Sequence, residues 1–133
     1  MPSFVGRHKK LTAVVIVVAA CVALLFIWPL TAATRGRLMA EIDVHRGHYE
    51  VQTYGLLAGW SPEYSRLLQE RYGVHERVVA GCMVSESMVA YVHAYNQVSM
   101  AAANRKFGKD VFAECAAEAK NTWIKAHTSV PEE

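Results

Sequence analysis

The sequence predicts an α+β protein that is predominantly helical, with one N-terminal transmembrane helix followed by a small β-α-β-α-α domain. Three observations lead to this class: an uncharged apolar stretch near the N-terminus, two short runs with strand-like alternation, and three longer segments with helical periodicity. The chain has 133 residues, and a typical domain of about 100 to 150 residues would use all of it. A second domain is therefore not expected.

The predicted transmembrane helix is the stretch 11–30, which contains twenty residues without a charge. At about 1.5 Å per residue it spans roughly 30 Å, the thickness of the hydrocarbon core of a bilayer. Three other interpretations compete: a signal peptide cleaved at Thr31-Ala32-Ala33, a lipoprotein, because Val18-Ala19-Ala20-Cys21 resembles a lipobox, and the buried helix of a soluble protein, which the rest of the chain is too short to wrap on every side. The apolar run is longer than a signal peptide needs, and a modified cysteine would retain an apolar tail, so a spanning helix is favoured.

The charges that flank this helix give a weak indication of its orientation. Three basic residues stand on each side: Arg7, Lys9 and Lys10 before the helix, and Arg35, Arg37 and Arg46 after it. A basic tip at 1–10 ahead of a first apolar helix is nevertheless typical of a signal anchor. We expect the N-terminus in the cytoplasm and the C-terminal domain outside it, on the inner (plasma) membrane. The opposite orientation is the alternative.

A juxtamembrane stalk is predicted at 31–47, followed by the α+β domain at 48–127. The residues His48 to Tyr54 alternate between apolar and polar, which predicts the first strand. A helix is then expected from Ser61, as a capping hydroxyl followed by proline, to Gly73, a residue that commonly ends helices.

The second half of the domain is predicted as a strand and two helices. Val74 to Val84 has strand composition, and Ser85 is expected to cap a helix that runs from Glu86 to about Lys106. Asp110 is expected to cap the last helix, which ends near residue 126. The tail at 128–133 is predicted to be disordered.

The charge balance of the soluble part disfavours a nucleic-acid binder. Beyond residue 31 there are eleven Lys and Arg against twelve Asp and Glu, without a basic cluster. Proteins that bind nucleic acids concentrate positive charge to neutralise phosphates. We expect no nucleic-acid partner.

No catalytic or metal site is predicted. His45 and His48 have the spacing of paired metal ligands, but zinc needs three or four ligands and no further ligand is evident. Ser85, Glu86 and His93 are the candidate residues for nucleophilic catalysis. No nucleophile-elbow motif surrounds Ser85, however, and helix capping explains this serine better. No cofactor is expected.

Tyr91, Tyr95 and Asn96 lie close together on the long helix and could line a ligand cleft. Core packing explains the two tyrosines equally well and is the commoner case. The sequence leaves open whether Asn96 is buried or exposed.

A disulfide is predicted between Cys82 and Cys115, which both fall on expected core faces and stand 33 positions apart. Such a bridge would stabilise the fold by about 3 to 4 kcal/mol in the chain-entropy model. It is expected in an oxidising compartment, whereas two buried thiols are the alternative in a reducing one.

Two strands alone leave open sheet edges, and the edge at His48 to Tyr54 is the predicted partner-binding site, with Tyr49, Val51 and Thr53 as its residues. The expected function is a noncatalytic, single-pass, membrane-anchored interaction domain: an accessory subunit or inhibitor of a membrane or envelope complex, of a kind common in bacteria. Its expected partners are the membrane and another membrane or periplasmic protein, or a second copy of itself. The alternative is a small membrane-bound hydrolase that acts on lipid or cell-wall material.

Overall fold

The computed structural model describes residues 4–128, with side chains from residue 12 onward. This part of the chain contains five helices and a two-stranded parallel sheet, so the predominantly helical α+β class is confirmed. The elements are, in order, α1 (Phe4–Leu30), α2 (Ala32–His45), β1 (Tyr49–Tyr54), α3 (Ser61–Tyr72), β2 (Val74–Ala80), α4 (Glu86–Phe107) and α5 (Val111–Thr128). The predicted disordered tail lies outside the described residues except for Thr128, as do the first three residues of the predicted basic tip.

Beyond its basic first turns, helix α1 is apolar on all sides. Its segment Thr12–Leu30 is long and apolar enough to cross a membrane, and none of it is buried against the rest of the protein. A helix without a polar face and without protein cover is suited to a lipid environment. The amide of Thr31 donates to the carbonyl of Ile27, and that of Arg35 donates to Thr31, so α2 begins almost directly where α1 ends.

Helix α2 occupies the segment predicted as a stalk, and it packs closely along α4. The small residues Ala32, Gly36 and Ala40 are buried in this contact. A Cβ atom at Gly36 would lie only 2.3 Å from the carbonyl oxygen of Tyr91. Further along, His45 and Arg105 line the same cleft. Both helices therefore run in the same direction, away from α1, and α2 is part of the folded domain.

Strand β1 returns towards α1. The amide of Glu50 meets the side chain of Ser99, and two residues later the amide of Gln52 meets Asn96, which lies nearer the start of α4. Because β2 is parallel to β1, the carboxyl ends of both strands lie at the same end of the domain as α1.

The sheet is built by the β1-α3-β2 crossover. Tyr49 pairs with Val74 and the register holds to Thr53 and Val78, after which one residue bulges. β2 ends at Ala80, four residues before the predicted end at Val84. Helices α3 and α5 cover one face of the sheet, and the core contains Val51, Leu67, Leu68, Val74, Ala103, Val111, Phe112, Cys115 and Ala119.

Two of the three predicted N-cap residues form hydrogen bonds to the first turn of their helices. The hydroxyl of Ser85 accepts a hydrogen bond from the amide of Met88, and Asp110 Oδ1 accepts from Phe112 and Ala113, so both predicted caps are confirmed. Ser61 is instead the first residue of α3 and is buried, with Trp60 at the N-cap position. The predicted capping role of Ser61 is therefore wrong.

Candidate functional site

The outer edge of β1 is covered by side chains of α4. Asn96 Oδ1 accepts a hydrogen bond from the Gln52 amide at 2.8 Å, and Asn96 Nδ2 donates to the Gln52 carbonyl oxygen at 2.7 Å. Ser99 Oγ accepts from the Glu50 amide at 3.2 Å. A carboxamide presents a donor and an acceptor side by side, as a neighbouring strand would. The helix thus satisfies the backbone groups that an edge strand normally leaves free.

The predicted partner-binding residues do not form an open edge. Val51 is a buried core residue, and Tyr49 and Thr53 are partly buried. The backbone N–H and C=O groups of successive residues in a strand point to opposite edges. The backbone groups of Tyr49, Val51 and Thr53 therefore face β2, whereas those of Glu50 and Gln52 face α4. The prediction of an open β1 edge is wrong because a helix distant in sequence occupies it.

The outer edge of β2 is open. In the parallel register Val51 stands opposite Glu76. In a parallel pair, a residue that bonds to the other strand stands opposite one that does not, so the backbone N–H and C=O groups of Glu76 and Val78 point away from β1. No second strand pairs with β2 within residues 4–128. The Val78 side chain is 50% exposed, and Arg77 is also exposed. An edge of this kind is able to accept another extended segment.

The sheet face opposite the core carries a buried carboxylate, Glu50. Gln52 Nε2 donates to Glu50 Oε1 at 3.0 Å, and His48 Nε2 and Arg77 Nη1 lie 3.5 and 3.8 Å from Glu50 carboxylate oxygens. The ring of His48 also stacks on His75 at 5.3 Å. These neighbours compensate the burial of the carboxylate, which a buried charge requires. The contacts of Glu50 with Arg77 and of His48 with His75 link β1 to β2, and the contact of Glu50 with His48 links β1 to the turn before it.

His45 and His48, the two histidines with the spacing of metal ligands, lie in different surroundings. His48 contacts Glu50 and His75, whereas His45 lines a separate cleft beside α4. Among the residues whose side chains are described, no group of three or more His, Cys, Asp or Glu side chains is arranged to hold a metal ion.

The groups that a hydrolase would need are not brought together. The Ser85 hydroxyl contacts the amide of Met88 and the hydroxyl of Ser87. His93 lines a different cleft with Tyr54 and Asn96, and the eight positions from Ser85 to His93 correspond to about 12 Å along a helix. The serine therefore has no histidine base among its hydrogen-bond partners.

Tyr95 is a structural residue of the α2–α4 contact. Its hydroxyl donates to Asp43 at 2.7 Å, and its ring stacks on Tyr91 at 6.4 Å between centroids. Burial, together with the hydrogen bond to Asp43, raises the pKa of Tyr95 well above its usual value. The two tyrosines hold helices together, and Asn96 caps the sheet edge.

All three cysteines are free thiols, and the predicted Cys82–Cys115 disulfide is not formed. Cys115 is completely buried in the core cluster that also contains Val74, the first residue of β2, and burial raises the pKa of its thiol. Cys82 is exposed in the connection after β2. Strand β2 carries the chain about 20 Å away from Val74, whereas a disulfide needs Cα atoms within about 7 Å.

Sequence reasoning missed Ser99 and left the role of Asn96 open. The available signal was their spacing, because polar residues three apart on a helix share one face. Comparisons with known proteins add no relative: no family model, curated protein or solved structure matches this chain.

Proposed function

We propose that this protein is a noncatalytic, single-pass, membrane-anchored interaction domain whose β2 edge accepts an extended segment of a partner protein. Helix α1 crosses the inner membrane, with the basic tip in the cytoplasm and the domain outside. The partner is another membrane or periplasmic protein. An accessory subunit and an inhibitor of an envelope complex both belong to this class.

The contrast between the two sheet edges carries this proposal. On β1 the outward backbone groups of Glu50 and Gln52 are bonded to α4, whereas on β2 those of Glu76 and Val78 face outward without a neighbouring strand in residues 4–128. Strand addition supplies main-chain hydrogen bonds, and exposed side chains along the edge add selectivity. Arg77 and Val78 are the exposed residues along the β2 edge.

A photo-crosslinking residue at Arg77 tests this edge in native membranes. We expect crosslinking to one protein from Arg77 and not from Arg66, an exposed position on α3. Val78→Pro removes an outward N–H donor without touching the β1 ladder, so it should abolish the crosslink. Val78→Ala keeps the donor and should retain most of it. Equal crosslinking from Arg77 and Arg66, or an unchanged crosslink in Val78→Pro, would contradict the proposal.

Anchoring and orientation are tested separately. The protein should stay with membranes after alkaline and high-salt washing, and arginine at Val18 and Leu24 should impair insertion, at about 2.5 to 3.5 kcal/mol per charge. A soluble form that begins near Thr34 would indicate cleavage instead. An impermeant maleimide added to cells with a permeable outer layer should label the exposed thiol Cys82 if the domain lies outside the inner membrane.

A further inference from the structure

We infer that a cleft between the end of α1 and the start of α4 binds the phosphate of a glycerophospholipid headgroup. The cleft has a volume of about 300 Å³ and is lined by Trp28, Arg35, Ser85, Ser87, Met88 and Tyr91. The inference rests on the proposed membrane anchor, because only then does the cleft lie at the bilayer surface. It concerns a ligand site distinct from the β2 edge.

Arg35 supplies the positive charge of the cleft. Its guanidinium carbon lies 3.9 Å above the Trp28 ring and 6.0 Å from the centre of the Tyr91 ring. Nη2 donates to the Trp28 carbonyl oxygen at 3.0 Å, but Nε is buried and has no hydrogen-bond partner among the described residues. Protein atoms cover Nε, so a ligand in the cleft would meet the guanidinium through its other nitrogens, which line the cleft. Arginine suits phosphate through its several fixed donors.

The two serines together provide one further hydrogen-bond donor to an anion. Ser85 Oγ accepts from the Met88 amide at 3.3 Å and lies 3.1 Å from Ser87 Oγ. When Ser85 donates its own proton to Ser87, the Ser87 hydroxyl proton is free for a ligand. Both residues stand at the start of the 22-residue helix α4, whose dipole favours negative charge there. None of the six lining residues is acidic, and Glu86 between the serines is exposed.

The surroundings favour a lipid over a soluble phosphate. Trp28 stands two residues before the end of the apolar helix, where indole rings settle at a bilayer surface. The loop that leads into Ser85 carries Met83, which is 95% exposed, and the loop after β1 carries Leu56, which is 89% exposed. The Gly55 amide bonds to the carbonyls of Ala80 and Gly81, so these two loops are neighbours at the anchor end of the domain. Exposed apolar side chains beside a cationic cleft match a headgroup with its acyl chains.

The test is native mass spectrometry of the full-length protein in mild detergent, titrated with phosphatidylglycerol. We expect one tightly bound lipid per chain. Arg35→Gln should weaken binding roughly tenfold, as loss of a charge-assisted hydrogen bond does. The matched control is Arg37→Gln, an exposed arginine two residues further along α2, which should bind like the unchanged protein. Ser87→Ala should weaken binding by a smaller factor and leave the circular dichroism spectrum unchanged.

Two further ligands identify the source of the phosphate. Diacylglycerol, which lacks phosphate, should not bind, and inorganic phosphate alone should compete only at much higher concentration than the lipid. Inorganic phosphate that binds as tightly as phosphatidylglycerol would overturn the lipid assignment. Equal losses in Arg35→Gln and Arg37→Gln would overturn the site, because they would indicate a general basic surface.

The outcome separates this inference from the anchor on which it rests. Binding in detergent does not require insertion, so it is measured independently of membrane attachment. A protein that resists alkaline washing but shows no Arg35-dependent lipid binding would refute the cleft alone. Release of the protein by the wash would refute the anchor.

Discussion

The two strands of the sheet are similar in length, six and seven residues, but have very different surroundings. Strand β1 is enclosed by β2 on one edge and by Asn96 and Ser99 of α4 on the other, whereas β2 has only one strand beside it within the described residues. A two-stranded sheet would normally expose two edges. Here a helix takes the place of a third strand, so within residues 4–128 only the outer edge of β2 lacks a neighbour, and the proposed partner segment is assigned to that edge.

The largest expected difference between the two regions is in thiol reactivity. Cys82, exposed just beyond β2, should be alkylated within minutes, because thiolate access is not restricted there. Cys115, buried under the sheet with Val51, should react only through unfolding, at least about a thousandfold more slowly. Mass spectrometry of timed alkylation without reductant measures both rates. If neither thiol reacts until reductant is added, the two cysteines form a disulfide after all.

The next largest effect should come from opening the β1 edge. Asn96→Leu would remove both partners of the Gln52 backbone and leave an N–H and a carbonyl without hydrogen bonds. We expect a loss of about 2 to 4 kcal/mol in the free energy of unfolding. Chemical denaturation followed by circular dichroism measures it.

The neighbouring Gln97 gives the control for Asn96. It is exposed on the same helix, so Gln97→Leu should change the free energy of unfolding by less than about 0.5 kcal/mol. Similar losses in both variants would mean that the edge contact has no special role.

Ser99→Ala should have a smaller effect at the same edge. It removes a single acceptor, the hydroxyl that receives the Glu50 amide, and alanine fits the buried site without a clash. We expect a loss of about 1 to 2 kcal/mol, measured in the same denaturation experiment. Ser99→Thr retains the hydroxyl and should recover part of the stability if the hydrogen bond is responsible. Identical losses in the alanine and threonine variants would indicate packing instead.

The sequence predicts the features of this fold that depend on neighbouring residues. Ser85 and Asp110 cap their helices through contacts within three residues, and the apolar length of α1 is evident without any tertiary information. The closed edge of β1 depends on residues 44 and 49 positions away. No local pattern shows which strand a helix will cover, so the covered edge of β1 could not be predicted from its sequence.

The packing of the predicted stalk and the separation of the two cysteines could not be predicted for a similar reason. The segment 31–47 lacks a clear apolar stripe because its contact with α4 uses small residues, among them Gly36, which lies against the backbone of Tyr91. Cys82 was assigned to a core face because the second strand was expected to continue to Val84, but the strand ends at Ala80. Strand length and helix pairing are set by tertiary contacts, which override local preference.

The smallest expected effect concerns Glu76 on the open strand. Partial burial raises the pKa of its carboxyl, and the hydroxyl groups of Thr53 and Ser65 offset part of that rise. Because the folded-state pKa lies above the unfolded one, the ionised carboxylate opposes folding. This cost is absent below the unfolded pKa and is fully present above the folded pKa.

Glu76→Gln removes that cost. The variant should therefore be more stable than the unchanged protein at pH 7, by less than about 0.5 kcal/mol because solvent screens the site. The advantage should vanish as the pH falls below about 4. Thermal unfolding of both proteins between pH 3.5 and 7 gives the difference. Glu114→Gln is the control with the opposite sign, since hydrogen bonds from Lys109 and Tyr72 lower the pKa of Glu114 and its loss should destabilise the protein at pH 7. If Glu76→Gln is less stable at pH 7, the carboxylate has a favourable partner on the β2 edge, and that edge is less open than the geometry indicates.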